Sequence, residues 1–201
     1  MTNGPESAIV ITTPNARGEQ RLASFQERWK ATGSALPLTV HMGVLEPMPP
    51  LLACSVSHQQ ALASAHAPVL IFEDDAVFKP EFTLDLDYPA DAEMVRLGGE
   101  HMDFPKPATP PFVLCTDVRL FHAYIVYDPQ ALAARWPEPG MKWELALRPS
   151  AIGLKTYALD PFTVGQAAGR SGITLQNRRH DSYWNAKPGT LLDWDYSEGK
   201  P

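Results

Sequence analysis

The sequence predicts one α/β domain with a mostly parallel central sheet, and three observations carry that expectation. Short apolar, β-branched runs alternate with segments of helical period. Several of these runs are continuously apolar and end in turn or acidic residues. The length of 201 residues suits a single core, since a domain of ~150 residues buries about 70% of the surface its unfolded chain exposes. The domain is therefore drawn over residues 1–201, with 177–201 as a C-terminal arm.

The first run, Ala8 to Thr12, closes at Thr13-Pro14-Asn15 and reads as a buried strand followed by a turn. A helix from Gly18 to Ala31 follows, because Leu22, Phe25 and Trp29 recur at three- and four-residue steps while Arg21, Glu27, Arg28 and Lys30 fill the polar faces. Leu38 to Met42 reads as the second strand. Pro47, Pro49 and Pro50 then read as a stiff loop that continues neither element. The Ala- and Leu-rich stretch Ser55 to Ala65 predicts a helix that stops before Pro68.

Val69-Leu70-Ile71-Phe72 is a continuous apolar strand that delivers Glu73-Asp74-Asp75 at its carboxyl end. Met94 to Leu97 before Gly98-Gly99 is read as another strand. Asp103 to Pro111, with its four prolines, is read as a loop suited to a rim or lid. Ala123 to Tyr127 is the next strand, Pro129 to Trp136 a short helix opened by proline, and Lys155 to Leu159 a late strand. The pattern weakens beyond Gly165. No internal repeat and no second domain is visible.

Composition excludes several classes. Apolar and charged shares near globular averages, 44% and 20%, argue against a disordered or fibrous chain. Cys54 and Cys115 are the only cysteines, and so far apart they lead to the expectation of neither a disulfide framework nor a zinc-ligand cluster. No basic start with a long apolar run follows Met1, so no signal peptide or transmembrane segment is expected and a cytoplasmic address follows. A net charge of −6 disfavours duplex DNA as partner, although Arg170 and the cluster Arg178-Arg179-His180 offer a local basic patch. Nothing in the sequence fixes an oligomeric state.

Chemistry concentrates at the acidic triplet. Clustered carboxylates at the end of a buried strand repel unless a cation neutralises them. Mg²⁺ or Mn²⁺ prefers oxygen ligands and binds through a few carboxylates plus substrate phosphates. In an extended chain Glu73 and Asp75 would face one side. The triplet taken alone reads equally as a solvated turn.

Its surroundings carry more. Ala53-Cys54-Ser55-Val56-Ser57-His58, an alanine-rich helix, and Val69 to Phe78 with the acidic triplet resemble the central signature of glycosyltransferase family 25, which includes lipopolysaccharide and collagen galactosyltransferases. The resemblance continues through Arg96-Leu97-Gly98-Gly99, His122 to Val126, Leu159 to Gln166, and Ser171-Gly172-Ile173. The chain differs from the family pattern at Ala53, where glycine is usual, at Glu144, where aspartate is usual, and at Thr12-Thr13, which replace an asparagine-leucine pair.

The resemblance implies a GT-A-like (Rossmann-like) fold and transfer of a hexose from a UDP-sugar donor to a hydroxyl acceptor, with inversion and with Mn²⁺ or Mg²⁺ as cofactor. It implies Asp75 as metal ligand in a DXD-like motif, assisted by Glu73 or Asp74. Thr12, Arg17, Arg21, Ser57, Glu73, Asp74, Gly98, Gly99, His122, Gln166 and Ser171 are assigned to the donor. Arg17 or Arg21 would hold phosphate oxygens, beside the N-terminus of the first helix. Glu144, set between apolar residues, is assigned as the base that takes the acceptor proton, with Asp117 and Asp103 in reserve and His58 in support.

A glycan is the favoured acceptor. A hydroxymethylated base in DNA is the alternative, helped by Arg170, Arg178, Arg179, Tyr183 and Trp184 as phosphate and stacking contacts. A non-catalytic sugar-nucleotide-binding module is the other, and it would lean on the changes at Ala53 and Glu144.

Overall fold

The computed structural model describes residues 4–45, 48–101, 103–115, 117–136 and 153–167, with the backbone of 169–170 and 177–178. The chain opens with strand β1 (Ser7–Thr12) and helix α1 (Ala16–Ala31). The helix starts ahead of the expected Gly18 because Asn15 caps it, its side chain accepting from Gly18 N–H at 2.8 Å. Strand β2 (Leu38–Met42) matches expectation. Helix α2 (Pro50–Ser64) begins earlier than the expected Ser55. Pro50 belongs to its first turn, where a missing N–H leaves no helical bond unmade, so this proline starts the helix rather than ending a loop.

Strand β3 (Val69–Glu73) runs through a turn at Asp74-Asp75 into β4 (Ala76–Phe78). Then come β5 (Met94–Arg96), β6 (Glu100–His101), β7 (Lys106–Pro107), β8 (Phe112–Leu114), β9 (Val118–Arg119) and β10 (Ala123–Val126). Helix α3 (Pro129–Ala134), β11 (Thr156–Leu159), β12 (Val164–Gln166), β13 (Gly169–Arg170) and β14 (Asn177–Arg178) complete the series. The expected loop from Asp103 to Pro111 contains β7, which pairs with β8 as the outermost strand of the sheet. Proline is tolerated there because an edge strand needs fewer ladder donors.

The main sheet has the order β2-β1-β3-β10-β5-β11-β8-β7. It is mostly parallel, with β10 and β8 alone running against the other strands. Strand β1 pairs with β2 on one side and β3 on the other. The chain thus leaves β1 in one direction and returns in the other, which opens a crevice beyond the carboxyl ends of β1 and β3 where open α/β sheets bind ligands.

The pleat sorts the core into two layers. Ala8 and Val10 of β1, Leu70 and Phe72 of β3, and Ala123 and Ile125 of β10 pack with Phe25 and Trp29 of α1. The intervening residues Ile9, Ile11, Val69, Ile71, Tyr124 and Val126 pack with Ala61 and Leu62 of α2 and Leu132 of α3. Both faces are buried, which is why these strands read as unbroken apolar runs. On the α1 side the Phe72 ring lies 5.4 Å from both Phe25 and Trp29 in tilted and edge-on contacts, geometries that aromatic pairs favour. Among the described residues no helix is long and apolar enough to cross a membrane.

Candidate functional site

The period of two along β3 decides what each acidic residue meets. Glu73 continues the side of Val69 and Ile71 and faces α2, whereas Asp74 takes the side of Leu70 and Phe72 and faces α1. Asp74 is buried and receives a hydrogen bond from the Thr12 hydroxyl at 2.7 Å. That hydroxyl also lies 3.1 Å from the Gly18 carbonyl, which ties the end of β1 to the start of α1. Gly18 permits this approach, because a Cβ there would stand 2.0 Å from the Thr13 carbonyl oxygen.

Arg21, one turn into α1, reaches across the crevice. Its Nη2 pairs with Asp74 Oδ1 and lies 2.9 Å from Asp75 Oδ2. Burial lowers the basicity of Arg21, yet Asp75, Asp74 and Glu73 together hold its pKa above the ordinary value. Burial pushes the Asp74 carboxyl up to about 7 against the pull of Arg21, with Asp75 adding to the rise and the Thr12 hydrogen bond opposing it. The two shifts differ in what an ion pair alone would give. The Arg21 charge is shared with Asp75, and Asp74 is the more desolvated carboxylate, so the guanidinium is held firmly while Asp74 is only partly relieved.

Expected as neighbours on one side of an extended chain, Glu73 and Asp75 are instead separated by the turn at Asp74-Asp75 and brought back together by Gln166. Its amide Nε2 donates to Glu73 Oε2 at 3.2 Å and lies 3.5 Å from Asp75 Oδ1. The antiparallel pairing of β12 with β4, which sets Gln166 opposite Ala76, places it there. Glu73 and Asp75 each keep roughly a fifth of their side chains exposed, at 20% and 23%, so both carboxylates are partly accessible to solvent. Two carboxylate oxygens converging on one polar atom form a donor set of the kind that suits Mg²⁺ or Mn²⁺.

Beyond the triplet, the carboxyl edge is completed by the ends of the neighbouring strands. Glu73 N–H donates to the His122 carbonyl at 3.0 Å, at the entry to β10. His122 is fully buried with Nε2 3.2 Å from the Val164 carbonyl. Gly98 lies against both groups, and a Cβ there would meet His122 Nε2 at 2.3 Å and the Val164 carbonyl oxygen at 2.4 Å. Gly98 is thus fixed by close packing of the β5 exit, and Gly99 is buried beside it.

Other residues assigned from sequence have different placements. Ser57 is buried, donates to the Ala53 carbonyl at 2.7 Å and accepts from Val44 N–H at 2.8 Å, so it joins α2 to the segment after β2. Arg17 is exposed on the first turn of α1. Asp103 is exposed and Asp117 half-buried. Glu144 and Ser171 lie outside the described residues, as do the side chains of the arm from 177 onward.

His58 is fully buried and contacts the triplet itself. Its Nε2 lies 3.2 Å from Glu73 Oε1 and its Nδ1 lies 2.9 Å from the Tyr124 hydroxyl. Two participants carry no assigned role from the sequence. Cys54 Sγ lies 3.8 Å from Glu73 Oε1, and its signal was its spacing of four from His58 on one helix. Arg28 donates from Nε to the Ala76 carbonyl at 3.1 Å and from Nη2 to the Asp74 carbonyl at 3.4 Å, clamping the turn backbone. A groove between α2 and α3, lined by Gln59, Gln60, Ala63 and Gln130 among others, carries no ionisable side chain and offers no comparable chemistry.

No family model matches the chain, and no curated protein matches it in sequence. Among solved structures it is similar to a point variant of a Drosophila β1,4-galactosyltransferase 7 in complex with manganese, UDP-galactose and xylobiose, at 12% identity and a TM-score of 0.46, over 92% of this chain and 78% of that one. It is also similar to a glycosyltransferase involved in glycosylation of the major capsid of PBCV-1, at 11% identity and a TM-score of 0.43, over 77% of this chain and 82% of that one. A third is the CTP:phosphocholine cytidylyltransferase of Streptococcus pneumoniae, at 10% identity and a TM-score of 0.36, over 80% and 92% of the two chains. Likenesses this distant assign no residue and no substrate to this chain.

Proposed function

We propose that the protein is a metal-dependent glycosyltransferase of GT-A-like fold that moves a hexose from a UDP-sugar to a hydroxyl acceptor on a glycan. The observation that carries the reading is the convergence of Glu73, Asp75, Gln166 and Arg21 at the crevice between the carboxyl ends of β1 and β3. Open α/β sheets bind nucleotides at such a switch point. The ordered resemblance to glycosyltransferase family 25 supports the same reading.

Asp75 and Glu73 would hold Mn²⁺ or Mg²⁺ through the oxygens that converge on Gln166. When bound, the ion supplies neutralisation of the diphosphate charge that grows as the sugar departs. The chain's own residues prepare the rest. Arg21 is pre-aimed by Asp74 and Asp75 and offers guanidinium N–H groups to phosphate oxygens. Thr12 and Arg28 fix the turn that carries Asp75, so the ligand is positioned before substrate arrives. Asn15 and Gly18 set the N-terminus of α1 beside the crevice, where its backbone donors favour an anion. In this reading Glu144 takes the acceptor proton on the face opposite the leaving diphosphate, and transfer proceeds with inversion.

The test is a panel of UDP-sugars incubated with the protein without acceptor, in Mn²⁺ and in EDTA, and scored for released UDP. The reading expects release from at least one donor in Mn²⁺ and its loss in EDTA. Binding of UDP with no release from any donor would favour a non-catalytic sugar-nucleotide module instead.

A further inference from the structure

We propose that Cys54, His58 and Glu73 form a binding site for a transition-metal ion of the zinc class, separate in ligand chemistry from the oxygen-only position shared by Glu73 and Asp75. The proposal goes beyond glycosyl transfer and does not depend on it.

Three ligand atoms of different type converge. Cys54 Sγ, His58 and a Glu73 carboxylate oxygen all lie within 4.8 Å of one another. His58 Nε2 is 3.2 Å and Cys54 Sγ 3.8 Å from Glu73 Oε1. A tetrahedral ion with bonds of about 2.0–2.3 Å sets adjacent ligand atoms roughly 3.3–3.7 Å apart, so these two separations already match to within a few tenths of an ångström. The pair Cys54 and His58 comes from one face of α2 at a spacing of four, and Glu73 is turned towards that face by the pleat of β3.

The surroundings resemble those of a ligating histidine. Its Nδ1 is engaged by the Tyr124 hydroxyl at 2.9 Å, the kind of outer contact that fixes ring orientation and tautomer in metal sites. The ring lies near-parallel to those of Tyr124, with centroids 5.8 Å apart, and Trp136, at 6.3 Å, so its direction is set before an ion arrives. Glu73 is divided between two tasks, since Oε2 accepts from Gln166 while Oε1 faces the helix.

Charge and softness choose the ion. A thiolate and a carboxylate neutralise a divalent charge inside a partly buried site, and sulfur with imidazole nitrogen favours zinc over magnesium or calcium. Binding proceeds with loss of the Cys54 thiol proton to solvent and formation of the metal–sulfur bond. With the ion bound, the His58 ring presents its Nε2 lone pair to the metal and donates from Nδ1–H to the Tyr124 oxygen. About one proton is released per ion. With three protein ligands, the fourth position is left for water or another small ligand.

Co²⁺ is the probe, added to the full chain with no sugar nucleotide present. Expected are a sulfur-to-cobalt charge-transfer band in the near ultraviolet and intense visible bands of a tetrahedral ion, both erased by stoichiometric Zn²⁺ and untouched by excess Mg²⁺. Cys54→Ser should abolish the ultraviolet band, and Tyr124→Phe should weaken Co²⁺ binding by about 10–100-fold. Circular dichroism of each variant reports that it is folded. No such band in the wild type, or a band that survives Cys54→Ser, overturns the proposal. Because no donor is present, that failure leaves glycosyl transfer untouched, and failure of donor hydrolysis leaves this site untouched.

Discussion

Lowering the pH should destabilise the fold through His101, and the size of the effect follows from its burial. His101 is 5% exposed, its ring stacks on Phe162 with centroids 4.8 Å apart, and neither ring nitrogen has a hydrogen-bond partner. Burial pushes its pKa down to about 4, against the pull of Asp160, and Arg96 adds to the fall. In the unfolded chain the group titrates near 6.5. Between these values the unfolded chain binds the proton and the folded one does not, so stability rises with pH across that interval. The contribution is fully present above about pH 6.5 and is lost as pH falls through the folded value. Linkage gives about 2 kcal/mol lost by pH 5 and about 3 kcal/mol by pH 4. Urea titrations at pH 7, 5 and 4, on the wild type and on His101→Phe, measure it, because the phenyl ring keeps the stacking and removes the titration. Groups that titrate alike in both proteins cancel in the difference. Equal pH dependence of the two proteins would refute the reasoning.

Asp75→Ala should abolish Mn²⁺-dependent UDP release from whichever donor the wild type accepts, as measured by a coupled UDP assay. Retained release would move the metal ligand elsewhere. Gly98→Ala should cost about 1–3 kcal/mol in urea denaturation, because its Cβ would strike His122 Nε2 and the Val164 carbonyl. An unchanged midpoint would show that the strands there can separate. Burial pushes the Cys115 thiol up to about 12, although Arg96 opposes the rise. A thiol reagent at pH 8 should leave Cys115 unmodified in the folded protein and modify it once urea unfolds the chain, as read by peptide mass mapping.

The sequence made the α/β class visible because β1, β3 and β10 are buried on both faces and so read as unbroken apolar runs beside helices of clear period. It did not show that β10 runs against its neighbours. Pairing direction depends on where the chain travels between strands, and nothing in Ala123 to Val126 encodes that path locally. Pro50 reads as a breaker from sequence because a proline ends or begins a helix according to its position, which propensity does not reveal. The edge strand at Lys106–Pro107 was hidden for a related reason, since its ladder supplies what its residues lack in strand preference.

At the site, the triplet's position was legible, but its division of labour was not. The alternation that turns Glu73 towards α2 and Asp74 towards α1 requires knowing where β3 ends, and the chain turns immediately afterwards. Ser57 stood beside His58 in the same motif, yet its hydroxyl joins backbone to backbone while His58 reaches Glu73. Helical geometry separates adjacent residues by about 100°, so neighbours in a motif need not share a task. Tyr124 and Gln166 reach the cluster from distant strands, a proximity that only the assembled sheet creates.

The central claim is that a metal and a nucleoside diphosphate occupy the crevice between β1 and β3, and paramagnetic broadening of backbone amide signals by Mn²⁺ with UDP tests it directly. The account predicts strong broadening at Gly18, Asp75, Ala76 and Gln166. It predicts little at Lys106 in β7, five strands from β3 in the sheet and so about 24 Å away at the usual strand spacing. Broadening centred away from Asp75, or spread evenly over the sheet, would contradict the account.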